Sequence, residues 1–430
     1  MATISELLKE LRSLPLGNVY EKTIAGKTYF YHHYFLEGKR YANIVPLDQV
    51  EALRGQIKRR KEIEKELRSR SGKDVTLSPA AASLTGSVMN GNRAVAVFES
   101  GTLVHIDEDL APLSIVSPRS LERFLHLRVL DMSRTNARIL RRVLNIHVDK
   151  DYKTALYSYA LSVYDRYWFK PKRSKLTYDK LALRDDLLFD TALRGEVNEF
   201  YGKAKLSPEL TTTGSFEKGW RNIDGVWWLY KSGNAAQIFS ELFASSFAAL
   251  MGVPTVRYEY ADGYIRCPNF SSTTNFEPIA SLAGDNEDYA YLFELFYGMS
   301  VDIAKQYLLL SAFDAVMYNV DRHNENLGLL RDVDSGAIIS LAPNFDNNLA
   351  LVATNAHLNP YPRKDGFIGL FVGFLNHDER AKRLFRELRF PDISLDSIQS
   401  IVDAIPLDVP DKGAIASAVL ARYQYVKSLI

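Results

Sequence analysis

The segment VDIAKQYLLLSAFDAVMY at 301–318 is an apolar helix pattern, and it runs directly into the polar turn NVDRHNENLG. That turn crowds Asp321, Arg322 and His323 together with Asn319, Asn324 and Asn326. Buried polar groups need partners, so a turn this dense at the end of a core helix is either a hydrogen-bonded knot or a place for chemistry. Asp321 and Asn326 lie five residues apart, the separation of base and metal-binding asparagine in protein-kinase catalytic loops, although the order here is Asp-Arg-His rather than His-Arg-Asp. Phosphoryl transfer requires a carboxylate to orient and deprotonate the acceptor hydroxyl, and oxygen ligands for Mg²⁺. A second metal carboxylate is offered by Asp346, 20 residues after Asn326 in LAPNFDNNLAL. The stretch between reads as a hairpin turning over 334–336, which would return Asp346 to the side of Asn326.

Upstream, TTTGSFEKGWRNIDGVWWLYK at 211–231 has hairpin logic: a polar turn with Gly214 and Gly219, a tight Asp224–Gly225 turn, and an aromatic run ending in Lys231. Glycines let the backbone approach phosphate oxygens, and a lysine on the return strand can reach the same phosphates. The following helix pattern starts near Asn234, closes at Gly252 and carries Glu241, a candidate ion-pair partner for Lys231. Taken singly each piece has a structural explanation: a chance hairpin, an exposed glutamate, a salt-bridge knot or a capped turn. Their joint order favours the chemical reading. His323 has no second histidine at i+3 or i+4, so a zinc pattern is absent and a loop brace is the better reading.

With 53 Lys and Arg against 52 Asp and Glu, the net charge is +1, and no global field points to nucleic acid or an anionic membrane. Cys267, the only cysteine, excludes an intrachain disulfide and a Cys-rich metal site, and suits a reducing cytoplasm. No uninterrupted apolar run suggests a signal peptide or a membrane span. Residues 1–14 have helical spacing, 18–43 read as a small antiparallel meander, and 47–70 as a charged helix in which Lys58, Arg59, Arg60 and Lys61 are balanced by Glu62, Glu64 and Glu66. That cluster could meet an acidic partner or nucleic acid, but a solvated face is the expectation. Strands are expected around VAVFES and TLVHID, one strong helix over 118–146 with a surface cluster of Arg134, Asn136, Arg138, Arg141 and Arg142, and packing aromatics over 164–172. With no helix-turn-helix evident, direct DNA binding is not expected. The predicted class is α+β, with modules over 1–75, 76–200 and 201–430, the last divided into a β-rich lobe to about 268 and a helical lobe beyond.

TTTGSFEKGW, WWLYKSG, DRHNENLG and NFDNN together resemble the HipA-like family of bacterial serine/threonine kinases, distantly similar in fold to phosphatidylinositol-3-kinase-like enzymes. The resemblance covers roughly 205–430; the N-terminal module departs from the family's usual N-terminal subdomain. It implies ATP and Mg²⁺ as cofactors, Asp321 as base, Asn326 and Asp346 as metal ligands, and Lys231 on the phosphates. Gly214, Ser215, Phe216, Glu241 and His323 then surround the nucleotide, with Ser215 the autophosphorylation candidate beside the competing Thr211, Thr212 and Thr213. The family also implies a protein substrate with a Ser or Thr acceptor, and a toxin's or defence role with a cognate antitoxin as candidate partner. Two other readings share the site: a catalytically silent nucleotide-sensing or partner-binding module, and a small-molecule or lipid kinase.

Overall fold

The computed structural model describes residues 10, 13–24, 27–36, 39–70, 84–115, 120–148, 150–183, 185–197, 206–354 and 361–430; most of the helix expected over 1–14 lies outside them. The chain falls into two compact units, 1–76 with 199–203, and 77–198 with 204–430.

In the first unit, β1 (Asn18–Ile24), β2 (Lys27–Leu36) and β3 (Lys39–Val45) form the expected antiparallel meander, with Tyr31 opposite both Tyr20 and Ile44. Aromatic and β-branched residues suit this pleated, half-buried surface. Helix α1 (Val50–Arg70) lies on the face that carries Phe30 and Val45: the Arg54 guanidinium sits 5.5 Å from the Phe30 ring centroid, and Val50, Ile57 and Ile63 are buried.

The second unit contains three antiparallel sheets. The first has the order β6-β5-β4-β7 from β4 (Gly86–Asn90), β5 (Arg93–Glu99), β6 (Thr102–Ile106) and β7 (Tyr167–Pro171). Tyr167, Trp168 and Phe169 are fully buried in β7, so this part of the aromatic stretch packs as expected. The single helix expected over 118–146 is instead two, α2 (Ser120–His126) and α3 (Thr135–Val143). The chain breaks between them where Arg128 is drawn inward, donating to Asp165 at 2.6 Å and to the Ala160 carbonyl at 3.0 Å. Arg134 and Asn136, expected on a surface, are buried as well. A helical period marks which residues are long and which are apolar, but not which arginines have interior acceptors waiting.

The second sheet, β10-β11-β9-β8, is built from β8 (Lys218–Ile223), β9 (Val226–Lys231), β10 (Glu259–Ala261) and β11 (Tyr264–Pro268). Beside it runs α4 (Ala235–Met251), started by an Asn234–Gln237 capping box and stopped by Gly252 in the left-handed region. The third sheet joins β12 (Thr274–Pro278), β13 (Gly328–Asp332) and β14 (Ile338–Leu341). It is tied to the first through Tyr167 of β7, whose hydroxyl donates to Glu277 at 3.2 Å and accepts from buried Arg331 at 3.4 Å; Arg331 also donates to Glu277 at 2.5 Å and to the Ala111 carbonyl at 2.8 Å.

Helices α5 (Tyr289–Met299), α6 (Val301–Met317), α7 (Gly366–His377), α8 (Glu379–Arg386), α9 (Leu395–Ala404) and α10 (Lys412–Lys427) make the expected helical wall. A ladder of Phe239, Phe243 and Phe247, with centroids 6.0 and 5.9 Å apart, continues to Phe313 at 6.4 Å and packs α4 on α6. Fully buried Arg422 of α10 bonds Asp365 and the Ala315 and Val316 carbonyls. It thereby fixes the C-terminal end of α6, from which the polar turn departs. The class is α+β, as predicted. Among the described residues no helix is long and apolar enough to cross a membrane.

Candidate active site

The β8–β9 hairpin turns on Asp224 and Gly225, both at positive φ (52° and 86°), and this two-residue loop sets the pairing of the strands. Lys218 falls directly opposite Lys231, on the same face of the sheet. Two lysines therefore enter one cleft, where the sequence reading expected one. The missed residue was legible in principle, because a two-residue Asp-Gly turn counts back from 231 to 218.

Lys231 is buried and paired twice, to Asp346 Oδ1 at 2.7 Å and to Glu241 Oε2 at 3.3 Å. Glu241 is itself fully buried and its other oxygen accepts from the Asn347 backbone N–H at 2.9 Å, so the helix carboxylate orients the lysine and anchors the Asp346 loop together. Burial works against the Lys231 charge, but Asp346 and Glu241 more than offset it and hold the ammonium above its ordinary range. Burial likewise works against the Asp346 carboxylate, and Lys231 and Lys218 prevail, holding it well below the usual range. Asp346 adopts φ 59°, a left-handed conformation uncommon outside glycine and concentrated at functional sites.

Lys218 is in a weaker position. Burial pushes its ammonium down to about 8, with Asp346 opposing the shift and Lys231 and Arg134 adding to it. Gly214, at φ 88°, leaves the space that Lys218 fills: a Cβ there would lie 2.5 Å from Lys218 Nζ. A lysine depressed from 10.5 to about 8 costs the fold about 3 kcal/mol when protonated. The penalty is absent above the unfolded value, grows as pH falls from 10.5 and is complete below about 8. Lys218→Met is therefore expected to raise stability by up to about 3 kcal/mol at pH 7. The gain should shrink as pH climbs from about 8 toward 10.5, which urea midpoints across that range would check.

After α6, Tyr318 (φ 51°) reverses the chain into the polar turn, and Arg322 forms its centre. The guanidinium bonds both oxygens of buried Asp314 at 3.0 Å, the carbonyls of Asn326 and Phe345 at 2.8 Å, and Asn347 Oδ1 at 2.9 Å. One side chain thus pins the 319–326 turn to the 344–347 turn, which brings Asp321, Asn326 and Asp346 to one cleft as expected. Asn326 donates its amide to the Asp321 carbonyl at 3.1 Å, a bond that spends its nitrogen and not its oxygen. Asp321 is half-buried; burial raises its carboxyl, which His323 opposes and nearby Asp346 reinforces. His323 Nδ1 accepts from the Glu325 backbone N–H at 3.2 Å, the brace predicted for it.

Among the described residues no cluster of three or more His, Cys, Asp and Glu could hold a metal by itself. Asn326 and Asp346 supply two oxygen donors, which suits Mg²⁺, an ion that keeps waters and takes its remaining ligands from substrate phosphates. The cleft spans about 820 Å³, part of it open to solvent. Tyr164, Phe270, Phe276 and Phe345 form its apolar wall, and Gly214, Ser215, Phe216, Lys218, Lys231, Asp321, His323, Asn326 and Asp346 line it too. Of the residues singled out from sequence, Glu241 stands behind Lys231, and Gly219 and Thr211 do not line this cleft.

The loop over the cleft separates the competing hydroxyls. Thr211 donates to the Leu161 carbonyl at 2.5 Å and Thr212 to the Pro208 carbonyl at 2.8 Å, both buried, while Ser215 is exposed and Thr213 half-buried. Arg134 holds this loop through the Thr212 carbonyl at 2.6 Å.

No family model matches the chain, and no curated protein matches it. Two of the solved structures to which the chain is similar are kinase or toxin–antitoxin proteins. One is the proinflammatory kinase CtkA of Helicobacter pylori, 18% identical over 50% of this chain and 90% of that chain, with a TM-score of 0.36. The other is HipA of the Shewanella oneidensis MR-1 toxin–antitoxin system, solved with HipB and its operator DNA, 13% identical over 80% of this chain and 99% of that chain, with a TM-score of 0.49. What the cleft can do follows from its own residues.

Proposed function

We propose that the protein is an ATP- and Mg²⁺-dependent serine/threonine protein kinase of HipA type. The observation that carries this reading is Lys231 held between Glu241 and Asp346 in the cleft that Asp321 and Asn326 also line. Lys231, fixed from both sides, offers its charge to the phosphates of the donor nucleotide, and Lys218 adds a second positive group from the opposite strand. Asp321 accepts the proton of the acceptor hydroxyl as its oxygen attacks the terminal phosphorus; the bond to the ADP oxygen breaks, and ADP leaves. Its raised carboxyl makes Asp321 a better proton acceptor than an ordinary aspartate, and places the acid limb of the rate profile at higher pH. Asn326 and Asp346 would hold Mg²⁺, which neutralises charge on the phosphate oxygens. The aromatic wall excludes water from the base side of the cleft.

Ser215 is the proposed autophosphorylation position, supported by its exposure on the loop at the cleft; the engaged hydroxyls of Thr211 and Thr212 argue against them. A protein acceptor and a cognate antitoxin extend the same reading. The test is incubation of wild type and Asp321→Ala with γ-labelled ATP and Mg²⁺, followed by mapping of the label. Label on wild type alone, at Ser215, is the expected result. Tight ATP binding with no label on either protein would instead favour a nucleotide-sensing module.

A further inference from the structure

The kinase reading leaves the first unit without a role, and among the described residues its sheet has one face covered by α1 and one open. Side chains alternate across a strand, so the register assigns Phe30, His32 and Tyr34 to the face under α1, and Tyr29, Tyr31 and His33 to the other. Pairing places Tyr20 opposite Tyr31 and Lys22 opposite Tyr29, and Lys27 falls on the same open side. Tyr20 is 52% and Tyr29 36% exposed, and the Tyr20 and His33 rings lie with centroids 4.9 Å apart. Among the described residues of the three strands, the open face bears no carboxylate, since Glu21 falls on the covered side.

Residues 1–76 hold fifteen Lys and Arg against ten Asp and Glu, a net +5 in a chain whose total is +1. Most of that excess lies on α1, which carries eight Lys and Arg against four Glu, and there Arg54 and Arg59 pair with Glu51 and Glu10, in keeping with the solvated face expected from sequence. The open face of the sheet is different: Lys22 and Lys27 are interleaved with the exposed rings of Tyr20 and Tyr29 and have no acid among them. Aromatic rings that stack bases, set among cations that meet phosphates, are the recognition chemistry of single-stranded nucleic acid. A duplex presents neither unstacked bases nor a use for a row of exposed tyrosine faces.

We propose that the open face of the β1–β3 sheet binds single-stranded nucleic acid, with Tyr20, Tyr29 and Tyr31 stacking bases and Lys22 and Lys27 meeting the backbone phosphates. The proposal is independent of the kinase reading. It is tested on the full chain by fluorescence anisotropy with labelled 20-nucleotide oligo-dT and oligo-U and a 20-base-pair mixed duplex. Binding of a single strand at least about tenfold tighter than the duplex is expected. Tyr20→Ala should weaken it about tenfold, and Lys22→Glu should lower the slope of log affinity against log salt. Both side chains are exposed, so circular dichroism should report an unchanged fold. No binding to either single strand, duplex binding of equal strength, or indifference to both substitutions would overturn the proposal.

Discussion

Changing Asp346 to asparagine is expected to lower the single-turnover rate of phosphoryl transfer by about 10³-fold and to leave the protein folded. Asparagine is the informative replacement because it tolerates the left-handed backbone that Asp346 adopts at φ 59°, and its amide oxygen can still accept from Lys231. What it removes is charge. In the wild type one carboxylate holds Lys231 in place at 2.7 Å, and in the proposed mechanism it would also offer an oxygen to a cation beside Asn326. Lys231 keeps Glu241 at 3.3 Å in the variant, so the lysine stays charged and close to its position. The cation site, by contrast, loses its only anionic donor among the two proposed ligands. The second readout is therefore nucleotide affinity measured with and without Mg²⁺: its dependence on the ion should largely vanish in Asp346→Asn. A variant within about tenfold of wild type in rate, with Mg²⁺ dependence intact, would remove Asp346 from the site.

The parts legible in the sequence were those written by local rules. The Asp224–Gly225 turn marked the β8–β9 hairpin, Asn234 and Gly252 marked the ends of α4, and the polar turn after α6 stood out by its density of amides and charges. The Lys231–Glu241 pair followed from strand and helix order alone. What stayed hidden depends on contacts far apart in sequence. Arg134 reads as one basic residue among several on a helix, and only the fold shows its guanidinium inside, bonded to the Thr212 carbonyl 78 residues away. Lys218 differs: the turn register places it opposite Lys231, but its burial depends on the loop that carries Gly214. The aromatic meander was visible as strands, but which rings would be covered depended on the side α1 chose, a decision made by Phe30 and Val45 together.

Arg322 offers the largest stability effect, and its cause separates structure from chemistry. Arg322→Ala should cost about 3–5 kcal/mol, the range for removing one partner of a buried ion pair, because Asp314 would be left charged inside the protein. Lysine should rescue little of this. A single ammonium cannot reproduce a fork that meets two Asp314 oxygens, Asn347 and the Asn326 and Phe345 carbonyls at once. The double variant Arg322→Ala with Asp314→Asn removes the stranded charge, so it should recover a substantial part of the lost stability in denaturant melts. It should not recover phosphoryl transfer, because the fork joining the turn of Asp321 and Asn326 to the turn of Asp346 is gone, and the Asn319–Asn347 bond at 3.2 Å that is left is a single contact between amides. Recovery of both together would mean that Arg322 only neutralises Asp314 and that the two turns hold their positions without it. Recovery of stability alone would identify this buried arginine as the residue that turns two separated loops into one site.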